Sequence, residues 1–114
     1  MLRTALAFCA LALSAAALAH HGWSSYDARQ VITVEATLTD LNWGNPHGTA
    51  KTRYKGKTWD VVLAPVARME ARGLTREMLA PKMKVTLTGY PRSDGTAEMR
   101  IERVTANGKT VELR

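Results

Sequence analysis

Three histidines carry most of the chemistry this sequence can offer, and two of them, His20 and His21, are adjacent. They stand directly after Ala17-Leu18-Ala19, where small residues at the −3 and −1 positions form a signal-peptidase site. Cleavage there starts the mature chain at His-His. The free α-amine, two imidazoles and the first backbone amide then form one nitrogen-rich set. Copper(II) and nickel(II) favour nitrogen ligands in a square-planar arrangement. An N-terminal histidine chelates through its amine and ring together, and a second imidazole completes the T-shaped histidine brace. The amine has an ordinary pKa of ~7.7–8.0, so little energy is needed to free its lone pair. Cleavage after Ala17 instead leaves Leu18-Ala19-His20, with histidine third, which is the other amino-terminal copper and nickel arrangement. His47, in Trp43-Gly44-Asn45-Pro46-His47, sits in a loop-like segment that can bring one more ring to the same place. The expected metal ligands are His20, His21 and His47, and the expected metal is copper.

Plainer roles compete with this one. Histidines at a junction can simply be polar residues that help cleavage, and His47 can be a turn histidine bonded to a backbone carbonyl. Met69, Met78, Met83 and Met99 offer thioethers, which select copper(I). Met69 and Met78 fall at helical-core spacing and Met99 on an inward strand face, so packing is their expected role. No serine–histidine–carboxylate order, cysteine nucleophile, His-Glu-x-x-His or phosphate-binding glycine loop is present. Asp60 falls on an outward strand face. Turnover is therefore not expected, and a brace-type copper oxidase ranks below simple copper handling or delivery. The alternative from another class is a non-catalytic module binding a protein or saccharide partner through Trp43, Asn45 and Tyr90.

The first nineteen residues read as a signal peptide: Arg3, then an uncharged apolar stretch over 5–18, too short to span a bilayer. Export to the periplasm or beyond follows, with no stable membrane insertion after cleavage. The only cysteine, Cys9, lies in that segment, so the mature chain has no disulfides. Removing 19 of 114 residues leaves 95, enough for one domain with a modest core. Without Arg3 there are 15 basic and 10 acidic side chains, a formal charge of +5. The basic residues are spread along the chain, as solvated faces require, so nucleic acid is not an expected partner.

The elements that must hold the histidines can be read from periodicity. Residues 20–30 form a polar and aromatic arm, and a single domain over 31–114 follows. Ile32, Val34, Ala36 and Leu38 alternate with Thr33, Glu35, Thr37 and Thr39, predicting a half-buried strand over 31–43. Two more strands, 49–54 and 57–64, flank the turn Lys55-Gly56, with Trp59, Val61 and Leu63 on one face. Pro65 in the first turn and Gly73 just past the end bound a short helix, and Thr75 can cap a further turn that stops at Pro81. Strands over 82–89 and 96–106 follow, the second slipping its alternation near Arg103-Val104, where a bulge is expected. Asn107-Gly108 then turns into a short last strand. The order predicts an all-β domain with one short helix, a small OB-like barrel of five to six strands. A sandwich or an open sheet with one helix is the alternative.

Ala19-His20-His21, Trp23, Trp43-x-Asn45-Pro46-His47, Trp59-x-Val61-x-Leu63, Arg72-Gly73-Leu74 and Val85-x-Leu87-x-Gly89 together resemble a family of small exported bacterial proteins of unknown function. The resemblance covers nearly the whole mature chain. It implies export and a small β-barrel, and brings no activity with it. That family often has Pro-Gly before its fourth strand, where this chain has Pro81-Lys82. A looser, fold-level likeness is to CusF-type periplasmic copper chaperones, whose ligand spacing is not reproduced.

Overall fold

The computed structural model describes residues 22–114; the expected signal segment and the pair His20-His21 lie outside the described residues. The first alternating segment forms β1 (Ile32–Thr37) and β2 (Thr39–Asn42), with only Leu38 between them. The single strand expected over 31–43 is therefore bent in two. Leu38 is driven into the core, Asp40 takes a left-handed φ of 50°, and the pairing register shifts between Thr39 and Asn42. Such an irregularity lets one strand change partners.

β3 (Thr49–Tyr54) and β4 (Lys57–Val62) form a hairpin whose two turn residues, Lys55 and Gly56, both have positive φ, as a tight turn matched to strand twist requires. Pro65 then starts helix α1 (Val66–Ala71), standing at the cap, one residue earlier than expected. The helix stops by a Schellman arrangement. Gly73, at φ 88°, donates its N–H to the Glu70 carbonyl, Leu74 donates to that of Met69, and the Met69 and Leu74 side chains are both fully buried. A 3-10 turn over Arg76–Leu79 follows Thr75, whose hydroxyl makes no capping bond. β5 (Lys84–Pro91), β6 (Glu98–Ala106) and β7 (Lys109–Glu112) complete the chain.

The strands form one sheet in the order β1-β5-β6-β4-β3-β2, with β7 added beside β6. All pairs are antiparallel except β4 with β6. The two ends of that order, β1 and β2, are successive halves of one bent strand, and the Thr52 hydroxyl on β3 donates to the Thr37 carbonyl on β1 at 3.1 Å. The sheet therefore curls back on itself as an OB-like barrel, with α1 in the connection between β4 and β5. The bend in the first strand and the added β7 bring the strand count to seven, above the five or six expected.

Inward residues close the core: Leu38, Val61, Leu63, Leu87, Met99, Ile101 and Val104 are each no more than 1% exposed. Met69 and Met99 are wholly buried and Met78 packs against the same cluster, as gap-fillers do. The β6 bulge falls at Glu102, one residue before the expected position: Thr88 pairs with Arg103 but Gly89 with Ile101. Burial accordingly switches from Met99 and Ile101 to Val104 and Ala106. Gly89 faces this bulge, and a Cβ there would collide with the Arg100 carbonyl. Arg100, between the inward Met99 and Ile101, and Glu102 at the bulge lie on the outer face of the barrel, where the arm lies.

Candidate metal site and the docked arm

His47 lies in the connection between β2 and β3, after the cis peptide Asn45-Pro46. The next residue fixes the loop. Gly48 donates its N–H to the Ala64 carbonyl at 3.0 Å and accepts from the Leu63 N–H at 2.8 Å, extending the β3–β4 pairing by one step. Its backbone sits so close to Met69 that an added Cβ would lie 2.9 Å from the methionine methyl. His47 is thus anchored through its neighbour to the barrel wall, and is itself half-buried. Burial, then the positive charges of Arg100 and Arg68, push its pKa below the ordinary histidine value. A neutral ring keeps a lone pair for a metal.

The arm is a docked element. Trp23–Ser25 makes a 3-10 turn, and Tyr26 bridges to Arg92 in antiparallel fashion. The Asp27 N–H donates to the Pro91 carbonyl at 2.8 Å and Ser93 N–H donates to that of Ser25 at 2.9 Å. Tyr26 reaches across the chain to donate its hydroxyl to Glu98 at 2.6 Å; burial, then that carboxylate, raise its pKa to about 12. Arg92 donates to the same Glu98 oxygen at 3.2 Å. Asp27 closes the arm by accepting from the Arg29 backbone and side chain and from Gln30, which hold its carboxyl down at about 2.

Trp23 is the anchor. The Arg100 guanidinium lies 4.5 Å from its ring centroid and that of Arg114 4.7 Å, and Tyr90 meets its edge at 6.2 Å and 77°. Arg100 also lies over Tyr26 at 5.9 Å. Arg100 is therefore the hub of this face: it touches both arm aromatics, and its charge is felt at His47. In sequence, only Gly22 separates Trp23 from the histidine pair.

The expected site residues divide accordingly. Tyr90 is tied to the arm face through its ring contact with Trp23, whereas His47 stands in the β2–β3 loop, where the charge of Arg100 is one of the influences that lower its pKa. His20 and His21 lie outside the described residues. Trp43 instead packs, half-buried, against the hydrophobic core and is in none of the aromatic pairs among the described residues, while Asn45 is exposed in its loop. Among the described residues no group of three or more His, Cys, Asp or Glu is gathered to hold a metal ion. Trp23, Tyr26, Arg100 and Arg114 were missed by residue-type reasoning. Their one signal was a pair of aromatics three residues apart in a segment otherwise too polar to need them.

Fold and face together define a small OB-like β-barrel with an aromatic N-terminal arm pinned to its outer wall by arginines. The chain belongs to a family of unknown function, DUF6152, whose match extends over residues 9–100 and takes in the histidine pair, His47 and Arg100. No curated protein matches the chain. No helix among the described residues is long and apolar enough to cross a membrane.

Proposed function

We propose that this is an exported metal-binding protein that handles or delivers copper without turnover, using the amine and ring of a newly exposed His20 with His21 and His47 as further imidazoles. One observation supports the reading: Trp23, two residues after the histidine pair, is docked on Arg100, whose charge is also among those that lower the pKa of His47. Three residues of chain extend at most ~10 Å, so a mature terminus at residue 20 is within chain reach of that hub. The neutral tendency of His47 favours ligation, because a metal need not first displace a proton. The nearby arginines work against a dication; at ~4 Å across water each repulsion between a doubly charged ion and a guanidinium is about 2 kcal/mol. A chelate through these nitrogens exceeds that cost.

The test is a copper(II) titration of the secreted chain after intact mass has fixed its first residue. Tight one-to-one binding that weakens both on His47→Ala and on blocking the amine supports the proposal. Weak binding indifferent to His47 contradicts it. A second reading, a non-catalytic module for a periplasmic protein or saccharide, draws on Tyr90 standing edge-on to Trp23 at the arm face; recovery of a specific partner by metal-free protein, lost in Tyr90→Ala, would favour it.

A further inference from the structure

Four arginines gather where α1 meets the end of β7, and they are poorly matched by carboxylates. Arg68 donates to the Leu113 carbonyl at 3.0 Å, and Arg72 to the carbonyls of Glu112 and Arg114 at 2.7 and 3.1 Å. The helix is thereby tied to β7, and the Arg68 guanidinium is brought within one residue of Arg114. The side chain of Arg114 in turn shares the Trp23 ring with Arg100. Of the four, among the described residues, only Arg114 faces a side-chain carboxylate, Glu102 at 3.6 Å, and that group already accepts the Tyr90 hydroxyl at 2.6 Å.

Arg100 is the least satisfied of the four. It is half-buried on the barrel wall, yet among the described residues its guanidinium has no ion pair and no hydrogen bond, only the faces of Trp23 and Tyr26. A guanidinium carries five N–H donors in a fixed fork, and an aromatic face offers them no lone pair. Such a fork, held by a ring and short of oxygen partners, matches the paired oxygens of an oxyanion better than a spherical ion.

We propose that Arg100, with Arg68 and Arg114 beside Trp23, forms a binding site for a phosphate-type oxyanion. Mutual repulsion among these cations supports the assignment. Burial disfavours the charged form of Arg100; Tyr26 opposes this, while the charges of Arg68 and Arg114 add to it, and a bound anion offsets the repulsion. The site contains no proposed metal ligand, although it shares Arg100 and Trp23 with the arm face on which the metal reading draws.

The test is an NMR titration of the metal-free mature chain with inorganic phosphate at low salt, following the Trp23 indole and Arg100 side-chain signals. Saturable shifts are expected, with affinity falling about tenfold or more in Arg100→Gln, the size of one lost charged hydrogen bond. Arg100→Lys should restore little, because it keeps the charge and loses the fork. Lys51→Gln, at an exposed cation on β3, should change nothing. If Arg100→Gln does not fold, Arg68→Gln serves, since Arg68 is exposed on α1. Vesicles with and without phosphatidylglycerol separate the sources: Arg100-dependent vesicle binding assigns a lipid headgroup, and phosphate binding without it assigns a free anion. Absence of saturable shifts, or equal affinity in the folded Arg100→Gln and Arg68→Gln variants, overturns the proposal. Because copper is absent throughout, failure here is distinguishable from failure of the metal site.

Discussion

Removing the Trp23 ring should release the arm while leaving the barrel standing. The ring makes two cation–π contacts, to Arg100 at 4.5 Å and Arg114 at 4.7 Å, and one edge contact to Tyr90 at 6.2 Å. At a partly exposed site each cation–π contact contributes about 0.5–1 kcal/mol, and the aromatic pair about 0.5–1.5 kcal/mol. Trp23→Ala therefore lowers the stability of the docked arm by about 2 kcal/mol, roughly a thirtyfold shift toward the undocked state. The core lies in other residues, so global stability should fall much less. Native-state hydrogen exchange separates the two quantities. The Asp27 and Ser93 amides, which bond to the Pro91 and Ser25 carbonyls, should exchange some tenfold or more faster, while Val61 and Leu87 amides in the barrel hold their rates. Unchanged exchange at Asp27 and Ser93 would refute the anchoring role. An equal loss of protection in barrel and arm would show instead that the ring stabilises the whole fold.

Other consequences follow from the same geometry. Gly89→Ala forces a Cβ against the Arg100 carbonyl, a backbone atom with no room to yield, and should destabilise by about 1–3 kcal/mol, read as a lower denaturant midpoint. Met99→Ala leaves a void in a wholly buried site and should cost about 2–5 kcal/mol by the same measurement. Asp27 gives a pH signature: its folded pKa is depressed from 3.8 to about 2, so its contribution is fully present above about 4 and is lost as pH falls through about 2. Asp27→Asn should therefore flatten the loss of arm protection over that acid window; an unchanged acid profile would contradict the turn assigned to this carboxylate.

The barrel was legible because its signals are local. Alternation in 32–38, turn residues Lys55-Gly56 and Asn107-Gly108, and the helix stop at Gly73 each act within a few residues, and each appears where its chemistry requires. The bent first strand and the bulge at Glu102 were displaced slightly, because curvature is decided by neighbouring strands and only hinted at by pattern. The arm face was not legible. Tyr26 meets Glu98 72 residues away, and Trp23 meets Arg100 and Arg114 from the far side of the chain. An outward arginine on a strand is ordinarily a solvated charge, and nothing local distinguishes Arg100 from Arg103. Trp43 packs half-buried against the core, which neither requires nor forbids a partner on its exposed side. For the candidate site, His47 and Tyr90 were legible as chemistry; what was not legible is that Gly48 anchors the first to the barrel wall and Trp23 of the arm meets the ring of the second.

Whether His47 joins the mature amino terminus around one copper ion is the claim on which the proposed function stands. One substoichiometric-to-equimolar copper(II) titration of the verified His20-starting chain, watched by histidine-ring and tryptophan-indole NMR signals, tests it most directly. Paramagnetic broadening should remove the His47 ring and Trp23 indole signals together by one equivalent. Broadening confined to the terminal histidines, with the His47 ring still sharp at one equivalent, would contradict the account.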